Sequence, residues 1–194
     1  SERELTICSA FHSPESRALL ELNGKLARSL NSGVSFDWLV ADNRTNRTLD
    51  RGIDPNVFGS LEGAPSPLEV PQAMRGSSHL AAGLNVIKKN VRTRFALFLD
   101  ADCYIVRRDW IRDVLAHMKG KSIAFFGVPW HPRWTTKTRY FPGPHALFID
   151  VSKVPLGEVD FTPEPPVLID KPLTFVRTLP LGQWWRRVWK GRER

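Results

Sequence analysis

Long hydrophobic segments are absent from this 194-residue sequence. No run approaches the roughly 18 to 20 apolar residues that a membrane-spanning helix requires, and the first residues lack the basic-then-apolar design of a signal peptide. Cysteine is also scarce: Cys8 and Cys103 are the only two, both in or beside predicted strands, where a free thiol behaves as a small buried hydrophobe. The sequence therefore predicts a cytoplasmic protein, either soluble or peripheral at a membrane.

The composition is that of one ordinary globular domain, with 42% hydrophobic and 25% charged residues. A formal net charge of +8 suggests a polyanionic partner. Half of this excess lies in residues 181–194, which carry five basic side chains against one Glu. Binding to nucleic acid would require basic residues spread over one surface, so a nucleic-acid partner is not expected.

Apolar segments alternate with polar breaks in the manner of an α/β protein. The predicted elements are strands at 5–11, 35–41, 95–99, 122–128 and 145–151, and helices at 14–30, 77–90, 108–119 and 181–190. The first five elements form two βαβ units, whose crossovers are right-handed in nearly all proteins. Residues 44–71, rich in Asn, Gly and Pro, predict a long loop. We therefore predict one domain over residues 1–180, followed by a basic, Trp-rich helix or tail over 181–194.

One predicted strand ends abruptly at two carboxylates. Its five apolar residues, 95–99, do not alternate with polar ones, which is typical of a strand that is buried on both faces. Asp100 and Asp102 follow at its carboxyl end, where open α/β sheets bind ligands. In extended chain two such carboxylates point the same way and can share one divalent cation. The simpler alternative is that Asp102 or Asp109 caps the helix that follows.

The order of these elements resembles the nucleotide-sugar-binding part of a family 2 glycosyltransferase with the GT-A fold, a Rossmann-like α/β/α sandwich around a mostly parallel, twisted sheet. The likeness covers residues 5 to about 120. Residues 7–15 are similar to the family's first strand and turn, and Asp42 matches the Asp that reads the nucleobase. Residues 75–79 with Asn85 resemble its Gly-containing segment and helix. Asp100-Ala101-Asp102 matches its D-x-D signature.

This resemblance implies transfer of a sugar from a nucleotide-diphosphate donor to an acceptor hydroxyl, with inversion. The acceptor would be a carbohydrate or a lipid-linked molecule. The resemblance assigns the nucleotide sugar to Ser9, Ala10, Phe11, Asp42, Gly76, Asn85, Asp100, Ala101 and Asp102. It also implies a Mn²⁺ or Mg²⁺ ion, with Asp102 as the direct ligand and Asp100 on the ribose or on a metal-bound water.

The catalytic base and the acceptor site have weaker signals. Asp160 and Glu158 are the nearest counterparts of the family's acidic pair, although their Pro-rich surroundings do not look helical, and Asp150 at the end of a strand is a third candidate. Each has an ordinary role as an alternative, as a solvated surface carboxylate or a turn residue. His145 and Trp130 are candidate acceptor contacts, and a half-buried structural histidine and a loop-anchoring tryptophan are the alternatives.

The C-terminal segment admits three interpretations. It is similar to an acceptor-binding motif of processive family members at Gln183 and Arg186 only. As an amphipathic helix it would place Trp184, Trp185 and Trp189 on an anionic membrane surface. It could also pack on the core. For the whole chain, the alternatives to a glycosyltransferase are a non-catalytic or nucleotidyltransferase-like domain, or a basic module that binds nucleic acid or membrane.

Overall fold

A five-stranded sheet organises the part of the chain that the computed structural model describes, namely residues 3–43, 77–130 and 139–162. Its strands are β1 (Leu5–Phe11), β2 (Asp37–Asp42), β3 (Phe95–Leu99), β4 (Phe125–Trp130) and β5 (Arg139–Asp150). The helices are α1 (Pro14–Leu30), α2 (Ser77–Ile87) and α3 (Trp110–Lys121), and 3₁₀ turns lie at Lys88–Asn90 and Leu156–Glu158. These residues belong to one compact unit, Ser1–Thr162.

The strand order is β2-β1-β3-β5-β4. β1 is parallel to both β2 and β3, whereas β5 is antiparallel to β3 and to β4. One buried cluster joins α1 and α3 to one face of the sheet, and a second joins α2 to the other face. The predicted α/β class, with three layers around a mostly parallel sheet, is therefore confirmed.

β3 occupies the centre of this sheet because its residues are apolar on both faces. Phe95, Leu97 and Leu99 pack toward α1 and α3, while Ala96 and Phe98 pack toward α2. All five are at most 2% exposed. A strand without polar side chains has no face to offer to water, so helices cover it on both sides.

The start of α1 is fixed by two serines beside the end of β1. Ser13 caps the helix, and its hydroxyl accepts a hydrogen bond from the N–H of Ser16, whose hydroxyl in turn accepts from the N–H of Ser13. Pro14 occupies the first turn, where its missing N–H costs nothing. This capping box places the first turn of α1 at the carboxyl edge of the sheet.

Several predicted boundaries differ from the structure, among them those of β5 and α3. β5 begins at Arg139 and not at His145, because Pro142 and Pro144 are accommodated in a strand whose pairing with β4 shifts register near Pro129. α3 begins at Trp110, after Asp109 in a left-handed conformation with φ of 55°. The Asp109 side chain makes no capping hydrogen bond; it pairs with Arg112. The described helices include none with the length and hydrophobicity needed to span a membrane. The predicted tail over 181–194 lies outside the described residues.

Candidate functional site

A cavity of about 330 Å³ lies at the carboxyl ends of β1 and β3. From β1 the chain crosses by α1 to β2 on one side, while β3 lies on the other side of β1. The cavity is therefore at the point where the strand order changes direction, which is where open α/β sheets bind ligands. Five of the residues predicted to bind the nucleotide sugar line it: Ala10, Phe11, Asp100, Ala101 and Asp102.

The two carboxylates of this cavity lie in different environments. Asp100 is half-buried, and its N–H donates to the carbonyl of His145 over 3.1 Å, which continues the β3–β5 ladder by one residue. Asp102 is exposed. Burial raises the pKa of Asp100, the nearby charge of Asp102 raises it further, and His145 acts in the opposite direction. The ionised form of Asp100 is therefore disfavoured unless a cation lies nearby.

This donor set suits a hard divalent cation that also binds a ligand. Mg²⁺ and similar ions are commonly held by one or two carboxylates, with water and substrate phosphates completing the shell. Within residues 3–43, 77–130 and 139–162, no three His, Cys, Asp or Glu side chains are grouped to hold a metal ion. Asp100 and Asp102 are the described residues that could offer carboxylate oxygens to such an ion in this cavity.

His145 lies beside the cavity, on the strand next to β3. It is half-buried, and its charge acts on the pKa of Asp100. The predicted acceptor contact is therefore close to the two carboxylates, although contact with an acceptor stays a prediction. Trp130 ends β4, and its side chain lies outside the described part of the structure. Gly76 also falls outside the described residues.

Ser9 has a structural role inside the sheet. It is fully buried; its hydroxyl donates to the carbonyl of Leu99 over 2.7 Å and accepts from the indole N–H of Trp38 over 3.0 Å. These bonds tie β1 to both of its neighbours just below the cavity. Direct binding of a nucleotide by Ser9 stays a prediction.

Asn85 and Asp160 form a hydrogen bond with each other, and neither residue lines the cavity. The Asn85 amide donates to the Asp160 carboxylate over 2.8 Å, and its oxygen accepts from the N–H of Phe161. Hydrogen bonds from the backbone and hydroxyl of Thr162 and from Asn85 lower the pKa of Asp160 to about 2. A carboxylate with so low a pKa is a weak proton acceptor. Glu158 is exposed in the 3₁₀ turn before it.

Asp150 lies at the opposite edge of the sheet. Asp150 pairs with Phe95 at the start of β3. Phe95 lies five residues before Asp100, which is roughly 16 Å along an extended strand. Asp150 is fully buried, and its carboxylate accepts from Arg94 over 3.1 Å and from the hydroxyl and N–H of Ser152. The structure therefore separates this candidate base from the cavity, and its observed role is to join β3 to the turn after β5.

The cavity is also lined by five described residues that were not predicted to bind the nucleotide sugar: His12, Ser16, Leu19, Asn43 and Leu80. Asn43 lines the cavity where Asp42 was expected to contact the base. The N–H of Asn43 donates to the carbonyl of Phe11 over 2.8 Å, so extended pairing continues past β2. In an extended chain Asn43 and Ala41 share one face, and Asp42 lies on the other. Strict alternation could therefore have indicated that Asn43 and Asp42 lie on different faces.

Gly83 allows α2 to approach this end of the cavity. A Cβ atom at Gly83 would lie 2.6 Å from the Asn43 amide nitrogen and 3.0 Å from the Ala10 Cβ. The helix therefore packs directly on the ends of β1 and β2 because no side chain intervenes.

The chain resembles two crystal structures of S. aureus TarS. Both are 18% identical to it over 76% of its length. The matches cover 47% of a TarS 1-349 chain with a TM-score of 0.49, and 28% of a longer TarS chain with a TM-score of 0.44. The chain thus spans less than half the length of these neighbours. No protein-family model and no curated protein matches the sequence. The fold assignment rests on the strand topology.

Proposed function

We propose that the described unit is the donor-binding part of a metal-dependent, inverting glycosyltransferase, which moves a sugar from a nucleotide diphosphate to an acceptor hydroxyl. The observation that carries this proposal is the pair Asp100 and Asp102, at the carboxyl end of a fully buried strand and in a cavity at the change of strand order. The similarity of Asp100-Ala101-Asp102 to the D-x-D signature supports it, and so does the order of the elements.

The electrostatics of the two carboxylates favour a bound cation. Asp102 would be the direct ligand of Mn²⁺ or Mg²⁺ because it is exposed, and Asp100 would bind the ribose or a metal-bound water. When bound, the ion would stabilise the negative charge that develops on the leaving diphosphate. The raised pKa of Asp100 supports this role, since a neighbouring cation relieves both its burial and its repulsion by Asp102.

The rest of the cavity suits the nucleoside. Phe11, Leu19 and Leu80 supply apolar surface, while His12, Ser16 and Asn43 supply polar groups. Small-molecule sites typically combine a mostly apolar lining with a few polar groups that fix orientation. None of the three predicted carboxylate bases lines this cavity among the described residues, so the proposal assigns donor binding to this unit. The acceptor, a carbohydrate or lipid-linked molecule, is inferred from the resemblance.

The test is calorimetric titration with uridine and guanosine diphosphates, with and without Mn²⁺. We expect Mn²⁺ to raise the affinity for one of them at least about tenfold, a change of about 1.4 kcal/mol. Asp102→Asn should remove that increase. Asp113→Asn is the matched control, because its carboxylate pairs with Arg107 away from the cavity. Metal-independent binding, or no binding of either nucleotide, would contradict the proposal.

A further inference from the structure

Three of the four large hydrophobic side chains that the described residues leave exposed lie on α1 or on the segment that follows β3. Leu19 and Leu22 on α1 are 39% and 57% exposed, and Val106 in the segment after β3 is 75% exposed. The fourth, Val128, is on β4 and is 52% exposed. Single exposed hydrophobic residues are common on soluble proteins, but grouped ones mark contact surfaces.

Segment 103–109, which carries Val106, runs along α1, which carries the two leucines. Three hydrogen bonds attach it: from the Tyr104 hydroxyl to the Leu19 carbonyl (3.1 Å), from the Asn23 amide to the Cys103 carbonyl (2.9 Å), and from the Asp109 N–H to the Leu30 carbonyl (2.9 Å). Val106 therefore lies between two attachment points on α1. Leu19 and Leu22, three residues apart, share one side of the helix. We call Leu19, Leu22 and Val106 the α1 surface.

Charged groups of both signs border the α1 surface, and two of the basic ones are not in ion pairs with described residues. Lys25 lies three residues beyond Leu22, and Arg107 and Arg108 follow Val106; all three are exposed. Arg107 pairs with Asp113, whereas Lys25 and Arg108 form no ion pair with any described residue. Glu15 lies one turn from Leu19 on the side of the cavity. Exposed apolar side chains bordered by unpaired basic groups are complementary to an anionic lipid surface, where the apolar groups enter the acyl boundary and the cations meet the headgroups.

We propose that the α1 surface docks the protein on an anionic lipid bilayer. Leu19 belongs to both the α1 surface and the cavity lining, so docking places the cavity mouth beside the membrane. A substrate attached to a lipid would then reach the cavity without leaving the bilayer. The docking itself does not depend on whether the cavity binds a nucleotide, so it stands or falls separately from the proposed function.

The test is sedimentation of the full chain with vesicles of phosphatidylcholine, alone or mixed with phosphatidylglycerol. The chain should bind the mixed vesicles, and Leu22→Ser/Val106→Ser should weaken this binding about tenfold, since two exposed apolar side chains lose their burial in lipid. Val128→Ser is the matched control and should bind as the parent does. Lys25→Gln/Arg108→Gln should weaken binding to the mixed vesicles and leave any binding to pure phosphatidylcholine unchanged.

Several results would overturn the proposal. Failure of the chain to bind the mixed vesicles would contradict it. So would undiminished binding by Leu22→Ser/Val106→Ser, or binding that Val128→Ser weakens equally. Loss of binding only when Trp184, Trp185 and Trp189 are replaced would assign the contact to the C-terminal segment. If Leu22→Ser/Val106→Ser instead abolished self-association in sedimentation velocity, the surface would bind a second copy. Circular dichroism of each variant separates these outcomes from unfolding.

Discussion

Gly127 on β4 lies so close to β5 that the structure leaves no room for one added methyl group. A Cβ atom there would be 2.1 Å from the carbonyl oxygen of Ala146 and 2.9 Å from the Cβ of Pro142. Real Cβ atoms essentially never approach closer than 3.0 Å, so the backbone would have to yield by about 0.9 Å. The obstacle is backbone, which cannot rotate away as a flexible side chain can. We expect Gly127→Ala to destabilise the fold by about 1–3 kcal/mol, or more.

Urea denaturation followed by tryptophan fluorescence would measure this loss, and thermal melting should show a decrease of roughly 2–4 °C per kcal/mol. Gly120→Ala is the matched control because a Cβ at that position of α3 meets no atom within 4 Å. It should leave the stability unchanged or raise it by up to about 1 kcal/mol. Equal stability of Gly127→Ala and Gly120→Ala would contradict the close approach of β4 to β5.

Two further substitutions test buried polar groups. Burial raises the pKa of Asp150, but hydrogen bonds from Arg94 and Ser152 outweigh it and lower the pKa overall. The carboxylate therefore contributes stability above its unfolded pKa of about 3.9, and this is lost as pH falls through the lower folded pKa. Asp150→Asn should cost about 1–3 kcal/mol at neutral pH in urea denaturation, a deficit that shrinks below about pH 4; a deficit independent of pH would contradict this. Ser9→Ala should cost about 1–3 kcal/mol, because the buried hydroxyl no longer accepts from the Trp38 indole N–H or donates to the Leu99 carbonyl; an unchanged urea midpoint would refute that role.

The central strand and its two carboxylates could be predicted from sequence because the signal is local. An unbroken apolar run at 95–99 identifies a strand that is covered on both faces, and the polar residues directly after it, Asp100 and Asp102, must lie at its carboxyl end. The structure places both in the cavity lining. Nothing beyond the neighbouring residues was needed for that placement.

The position of Asp150 could not be predicted because it depends on strand direction. Asp150 ends a strand, as expected, but β5 runs antiparallel to β3, so the carboxyl end of β5 lies at the opposite edge of the sheet from Asp100. Direction is set by pairing between residues about fifty positions apart, which hydrophobic periodicity does not report. Pro142 and Pro144 also hid the first half of β5, since proline usually ends a predicted strand.

The contacts of Asn85, on the other face of the sheet, could not be predicted from sequence either. Its place on α2 was predicted, yet its amide bonds to Asp160, Phe161 and Thr162, in a segment whose Pro-rich surroundings carry no periodic signal. Two predicted functional residues, Asn85 and Asp160, thus form a hydrogen bond with each other. Contacts between a helix and a distant irregular segment arise only from tertiary packing.

The most direct test of the proposed donor site is a crystal structure of the chain grown with Mn²⁺ and uridine or guanosine diphosphate. Anomalous scattering would locate the ion independently of the nucleotide. The proposed function predicts an anomalous peak within coordination distance of the Asp102 carboxylate, with the diphosphate completing the metal shell and the base in the cavity at the ends of β1 and β3. A nucleotide bound elsewhere, or a nucleotide in this cavity without metal at Asp102, would contradict it.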